Sequence, residues 1–202
     1  MKRLWPGWLL CMLTAGLFAY MSCYQVPDIS KFIGEMKIPD ELPLGYGMDG
    51  ARALFEAFKA DHAAAQVAGR PSASEAYVSL HAGSDLVFPP LLAASLAFCG
   101  FAALFRPSLP GQTPRMVAVG FGLVLALAFT HLACDFIENA VADAMFGPKA
   151  LALEFNTGFV FVLRVLTTGK YVTLALALVL IAALWVWRVM SGRRAVSPSL
   201  DT

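Results

Sequence analysis

The chain has 202 residues, of which 58% are hydrophobic and 14% charged, with a mean hydropathy of +0.67. That apolar share exceeds what a soluble domain carries, and no basic soluble segment is present to serve nucleic acid. The formal net charge of +1 is uninformative in sum, but the placement of the charges sets an orientation.

Four apolar runs approach or exceed the roughly 20 residues that cross a bilayer. The first, Leu4–Cys23, follows Lys2-Arg3. A cleaved signal peptide would need small residues at its end, and Tyr20-Met21-Ser22 does not supply them. Cys23 lacks a lipoprotein box, so residues 1–23 read as an uncleaved span. Trp5 and Trp8 at one end and Tyr20 and Tyr24 at the other fit the aromatic belts of a membrane helix.

Residues 24–84 read as an outer loop subdomain. Pro27, Pro39 and Pro43 discourage helix at its start. After Gly45-Tyr46-Gly47-Met48, Asp49 is an expected N-cap for a helix over residues 50–67. Leu54, Phe55 and Phe58 give that helix an apolar face, which should pack on the membrane-embedded bundle. Gly69-Arg70-Pro71 ends it. Ser72 and Glu75 then have capping-box spacing and start a short helix through Tyr77 and His81.

The remaining spans fall within residues 85–191. The second run, Leu86–Phe105, opens after Asp85 and carries Pro89-Pro90 in its first turns, which predicts a kink. The loop over residues 106–115 holds three prolines and reads as a turn. The third run is Met116–Asp135 and the fourth is Tyr171–Trp187. A tight hairpin at Gly147-Pro148 would leave about 12 Å of helix, with Trp185 and Trp187, standing in water. A longer connection that breaks near Asn156-Thr157-Gly158 avoids this and sets Asp135 level with Lys170. The third and fourth helices should then extend past the bilayer or end in short outer helices. Residues 192–202 read as a disordered polar tail.

Lys2, Arg3, Arg106, Arg115, Arg188, Arg193 and Arg194 flank the N-terminus, the second loop and the tail. The acids, Asp201 excepted, lie in or beside the first and third loops. The positive-inside rule therefore puts both termini in the cytoplasm of a multi-pass cell-membrane protein. The expected fold is all-α: a four-transmembrane-helix bundle with a helical extracytoplasmic subdomain between the first two helices.

The chemistry concentrates at the end of the third run. At 100° per residue, His131, Asp135, Glu138, Asn139 and Asp143 fall within an arc of about 140°. Arg164, Thr167, Thr168 and Tyr171 share a face of the fourth helix, with Lys170 on its shoulder. Asp85 stands at the same level. An acidic stripe should thus meet a basic and hydroxyl stripe, because charge at a membrane boundary has to be neutralised. Tyr46, His81, Thr167, Thr168 and Tyr171 are expected to line the junction.

Three readings stay open: a network that only locks helices together, a binding site, and an exposed cluster. As a site, it would take a lipid headgroup, an ion or a small amphipathic ligand. As an enzyme of lipid-like substrates, the protein would use Asp135 or Glu138 as acid or base, but no nucleophile is evident. As an assembly subunit, it would offer the outer loop to a partner. A transporter would need ionisable groups at mid-membrane, and the centres of the runs hold none.

No cofactor is expected. His131, Asp135 and Glu138 have a spacing that could hold a metal, but no His-x-x-x-His or cysteine pair accompanies them, and no metal is assigned. Cys11, Cys23, Cys99 and Cys134 form no Cys-x-x-Cys.

Gly45-Tyr46, Asp85-Leu-Val-Phe88-Pro89 and Asp135-Phe-Ile-Glu138-Asn139 together resemble a group of small bacterial four-span integral membrane proteins whose third span closes on Asp-x-x-Glu-Asn. The resemblance covers about residues 45–171. It implies the four-span topology and draws attention to the acidic residues, and it brings no activity with it.

Overall fold

The computed structural model describes residues 4–105 and 113–194. Among the described residues every regular element is helical. Four stretches are long and apolar enough to cross a membrane: Trp5–Phe32, Ala73–Leu104, Pro114–Phe146 and Thr157–Ser191. Their outward faces carry large apolar side chains in the open, such as Met12 at 72%, Phe161 at 71% and Val179 at 67% exposure. So much exposed apolar surface fits contact with lipid rather than water.

The first stretch runs further than expected. Helix α1 (Trp5–Tyr20) passes through a π-helical turn, Met21–Gln25, into α2 (Val26–Phe32). Pro27 therefore sits inside a continuous helix, which corrects the expectation that the outer loop starts irregularly at residue 24. In an α-helix the Pro27 ring would collide with the carbonyl four residues back. The wider π turn directly before it relieves that crowding. Irregular chain begins only after Phe32, and Pro39–Glu41 forms a single 3-10 turn.

Helix α3 (Met48–Ala68) is capped by Gly47, so Asp49 lies in its first turn instead of at the N-cap. Its buried face is Ala51, Leu54, Phe55, Phe58, Asp61 and Ala65. It ends at Gly69, whose φ of 64° is the left-handed conformation glycine adopts at low cost. Ser72 caps α4 (Ala73–Ala82) as its spacing predicts: the Glu75 amide donates to the Ser72 hydroxyl at 3.2 Å, and the Ser72 amide to Glu75 Oε2 at 2.8 Å.

Helix α5 (Ser84–Phe105) contains Pro89 and Pro90. The proline-rich loop lies outside the described residues up to position 112. Thr113 then caps α6 (Pro114–Phe146) through Met116. A short link with a 3-10 turn at Ala150–Ala152 leads to α7 (Thr157–Arg194). The break before Thr157 is where the register argument placed it. At 33 and 38 residues, α6 and α7 are about 50 and 57 Å long, well beyond a 30 Å hydrocarbon layer. The tail from residue 195 onward lies outside the described residues.

Two apolar cores result. One is made by Ala93, Leu96, Val124, Ala128, Ala177 and Ile181 from α5, α6 and α7. The other joins Ile29, Leu54, Phe58 and Tyr77 to Met145 and Phe146 at the end of α6 and to Val160 at the start of α7. Residues 26–82 thus share a core with the extended ends of α6 and α7. Helix α1 packs along α5. Thr14 meets Ser95 hydroxyl to hydroxyl at 2.9 Å, and Trp8 packs edge-on to Phe98 at 5.3 Å between ring centres.

Candidate functional site

The polar face of α6 lies between the two cores. His131, Asp135, Glu138 and Asn139 are all buried, with exposures of 1–7%. Each is tied to another helix. Lys170 on α7 places Nζ 3.0 Å from Asp135 Oδ1 and 2.5 Å from Glu138 Oε2. The Thr167 hydroxyl, one turn away, contacts Glu138 Oε1 and also reaches the Leu163 carbonyl at 2.8 Å. Asn139 Nδ2 donates to Asp85 Oδ2 on α5 at 2.6 Å. His131 Nδ1 donates to the Lys170 carbonyl at 3.0 Å. A carbonyl can only accept, so the proton must lie on Nδ1. One turn towards the end of α6, Asp143 Oδ1 pairs with His81 Nδ1 on α4 at 2.6 Å.

The structure therefore brings Asp85, His131, Asp135, Glu138, Asn139, Thr167 and Lys170 into one layer across three helices. Arg164 does not join it. Its side chain is exposed, because α7 is rotated so that the Thr167–Lys170 edge meets α6. The loop covers the Arg164 backbone instead: a Cβ on Gly45 (φ 66°) would stand 3.0 Å from Arg164 Cα. Tyr46 follows, with its hydroxyl buried near Arg164 and Thr167. Thr168 is half-buried. Tyr171 is half-buried beside Lys170, whose Nζ lies 5.9 Å from its ring centre.

A cavity of about 350 Å³ opens against this layer. Its polar wall is Glu41, Asp85, His131, Asp135 and Lys170, and Tyr171 adds a ring. Phe18, Met21, Phe88, Leu92 and Leu174 make the apolar wall. The volume lies within the usual range for small-molecule sites. Two polar side chains of the wall are incompletely satisfied. His131 Nε2 and Asp135 Oδ2 are buried with no hydrogen-bond partner, on residues 4% and 5% exposed. Asn139 Oδ1, just behind them, is in the same state. Buried polar atoms of this kind usually have a partner, so three in one layer call for an explanation.

Among the described residues, no three His, Cys, Asp or Glu side chains converge as a metal site would require. In the His131–Asp135–Glu138 set, His131 turns to the Lys170 carbonyl, while Asp135 and Glu138 both meet the Lys170 ammonium. All four cysteines are free, including Cys23 and Cys134. Cys11 and Cys99 approach to 3.8 Å between sulfurs where α1 meets α5.

Three contributors escaped the sequence reading: Glu41, the π turn that brings Met21 and Ser22 to the cavity, and the Asp143–His81 pair. The π turn did leave a trace. Val26, Ile29 and Ile33 keep helical spacing across Pro27, which signals a helix that continues past the proline.

No protein-family model matches the chain, and neither does a curated protein or a solved structure. What fold and site define is thus a class: an all-helical protein with four helices long and apolar enough to cross a membrane, and a charged layer at one end of the bundle.

Proposed function

We propose that this chain is a multi-pass membrane protein whose cavity binds a small amphipathic ligand or a lipid headgroup at the outer surface of the cell membrane. The observation that carries this reading is the pairing of unsatisfied polar atoms, His131 Nε2 and Asp135 Oδ2, with a cavity whose other wall is apolar. An occupant with a polar head and a short apolar chain would meet both surfaces.

The orientation rests on charge. Arg188 donates to the Ala102 and Ala103 carbonyls at 2.9 Å, so the end of α5 and the end of α7 lie together. Arg115, beside Met116 at the start of α6, belongs to the same basic end. The positive-inside rule makes that end cytoplasmic and the acidic layer external. The helices over residues 26–82 then form an extracytoplasmic cap. The Lys170 pairs also lock α6 to α7, and the locking role and the cavity are compatible because different atoms serve each.

The test is native mass spectrometry of the full chain released from nanodiscs made with bacterial polar lipids. The wild type should retain a bound amphiphile at a defined mass. Ser22→Trp, which fills the cavity from its exposed rim without touching the charged layer, should lose it and keep normal helicity. A wild type that emerges with no adduct, or a filled variant that keeps it, would refute the reading.

A further inference from the structure

The chemistry of the walls narrows the class of ligand, and this step rests on the cavity being an amphiphile site. Glu41, Asp85 and Asp135 line it, and Lys170 is the one lysine or arginine among its lining residues. Glu138 stands directly behind, with its own contact to Lys170 at 2.5 Å. Asp135 and Glu138 share the Lys170 ammonium, and Asp85 and Glu41 add two more carboxyl groups to the same wall. An anionic head entering here would meet like charge in a poorly solvated site, where repulsion is weakly screened.

The unsatisfied atoms point the same way. With Nδ1 engaged by the Lys170 carbonyl, His131 leaves Nε2 buried without a hydrogen-bond partner. Asp135 Oδ2 is a carboxylate oxygen and calls for a donor from the occupant. We infer that the cavity takes an amphiphile with a primary-ammonium head, which lies against Asp135 and His131 while its chain follows Phe18, Phe88, Leu92 and Leu174. Two sources share this chemistry: a free long-chain amine and the amino head of a phospholipid.

The experiment uses the full chain in phosphatidylcholine nanodiscs, whose own headgroup has no N–H. Decylamine, decyltrimethylammonium, decanol and decanoate carry the same chain and differ in the head. Binding is read by melting temperature and by adduct occupancy. Decylamine should bind about tenfold tighter than decyltrimethylammonium, which has charge but no donor, and tighter still than decanoate. Asp135→Asn should weaken decylamine about tenfold and leave decanol unchanged. If that variant does not fold, Glu41→Gln serves, and should weaken decylamine alone.

Decanoate or decyltrimethylammonium binding as well as decylamine would overturn the inference and leave the amphiphile site standing. No binding of any of the four would remove both. Decylamine affinity unchanged in Asp135→Asn and Glu41→Gln would also overturn it. Repeating the titration with phosphatidylethanolamine in the nanodisc separates the sources. Competition identifies the lipid head, and full decylamine occupancy identifies a free amine.

Discussion

Lys170→Met is the most direct perturbation of the charged layer. The Lys170 side chain is 8% exposed, and it neutralises Asp135 and Glu138, which are 7% and 1% exposed. Methionine keeps the length and apolar stem of lysine and removes the charge. Two carboxylates are then left buried beside each other with no ammonium. Removing one member of a buried pair costs about 3–5 kcal/mol, most of it the desolvation of the charge left behind. Two stranded carboxylates put the expected loss at the upper end of that range. The combined variant Lys170→Met, Asp135→Asn, Glu138→Gln removes all three charges of the Lys170 pairs and retains amide hydrogen bonds. Replacing a whole buried ion pair by neutral groups is often close to neutral, so the triple variant should recover about half or more of the loss. The assay is unfolding in mixed micelles titrated with a denaturing detergent and followed by circular dichroism. A loss below about 1 kcal/mol for Lys170→Met would show that water reaches the layer, as in exposed pairs. A triple variant no more stable than the single would refute charge neutralisation as the cause.

Three further outcomes follow from local geometry. Gly7→Ala would place a Cβ 2.0–2.4 Å from the Phe98 ring, so that ring must turn away or α1 must move off α5, at about 1–3 kcal/mol by the same unfolding assay; a fall in crosslinking yield between Cys11 and Cys99, now 3.8 Å apart, marks the movement of α1. Ser72→Ala removes the N-cap of α4 and should cost about 1 kcal/mol, read by the same unfolding assay. Arg188→Met uncovers the Ala102 and Ala103 carbonyls and removes a cation from the end of α5, which should cost about 1 kcal/mol; a variant as stable as wild type in that assay would mean water or lipid heads satisfy those carbonyls equally well.

Much of this was legible in the sequence because lipid rewards simple patterns. Four apolar runs marked four helices, and the four-then-three spacing of His131, Asp135 and Glu138 put them on one face. What could not be read depends on rotations and on where helices stop. Hydropathy marks the stretch that lipid favours, not the point at which hydrogen bonding ends, so the α1–α2 helix outran its apolar run; the overrun of α6 and α7 was legible only through the register of the third loop. Lys170 and Arg164 lie six residues apart, about 120° away from eye to eye around a helix, and only the twist of α7 against α6 decides between them. The packing of Gly45 on the Arg164 backbone contributes to that choice, and no local pattern near residue 164 encodes it. Glu41 reached the cavity by the path of an irregular loop, which periodicity does not describe.

The make-up of the α6 interface argues that the layer exists for more than cohesion. Between Ala128 in one core and Ala142 in the other, its buried residues are His131, Asp135, Glu138 and Asn139, and none is apolar. Well-packed apolar side chains over the same stretch would hold α6 to α7 at least as firmly as ion pairs do. The observed layer keeps three polar atoms without hydrogen bonds and leaves about 350 Å³ unfilled beside them. The π turn, the least regular part of the first long helix, also borders that space through Met21 and Ser22. Departures from the most stable arrangement concentrate where a protein acts on something else. Here the unsatisfied atoms, the unfilled volume and the irregular helix turn coincide at one place, and the ligand proposed above would account for all three at once.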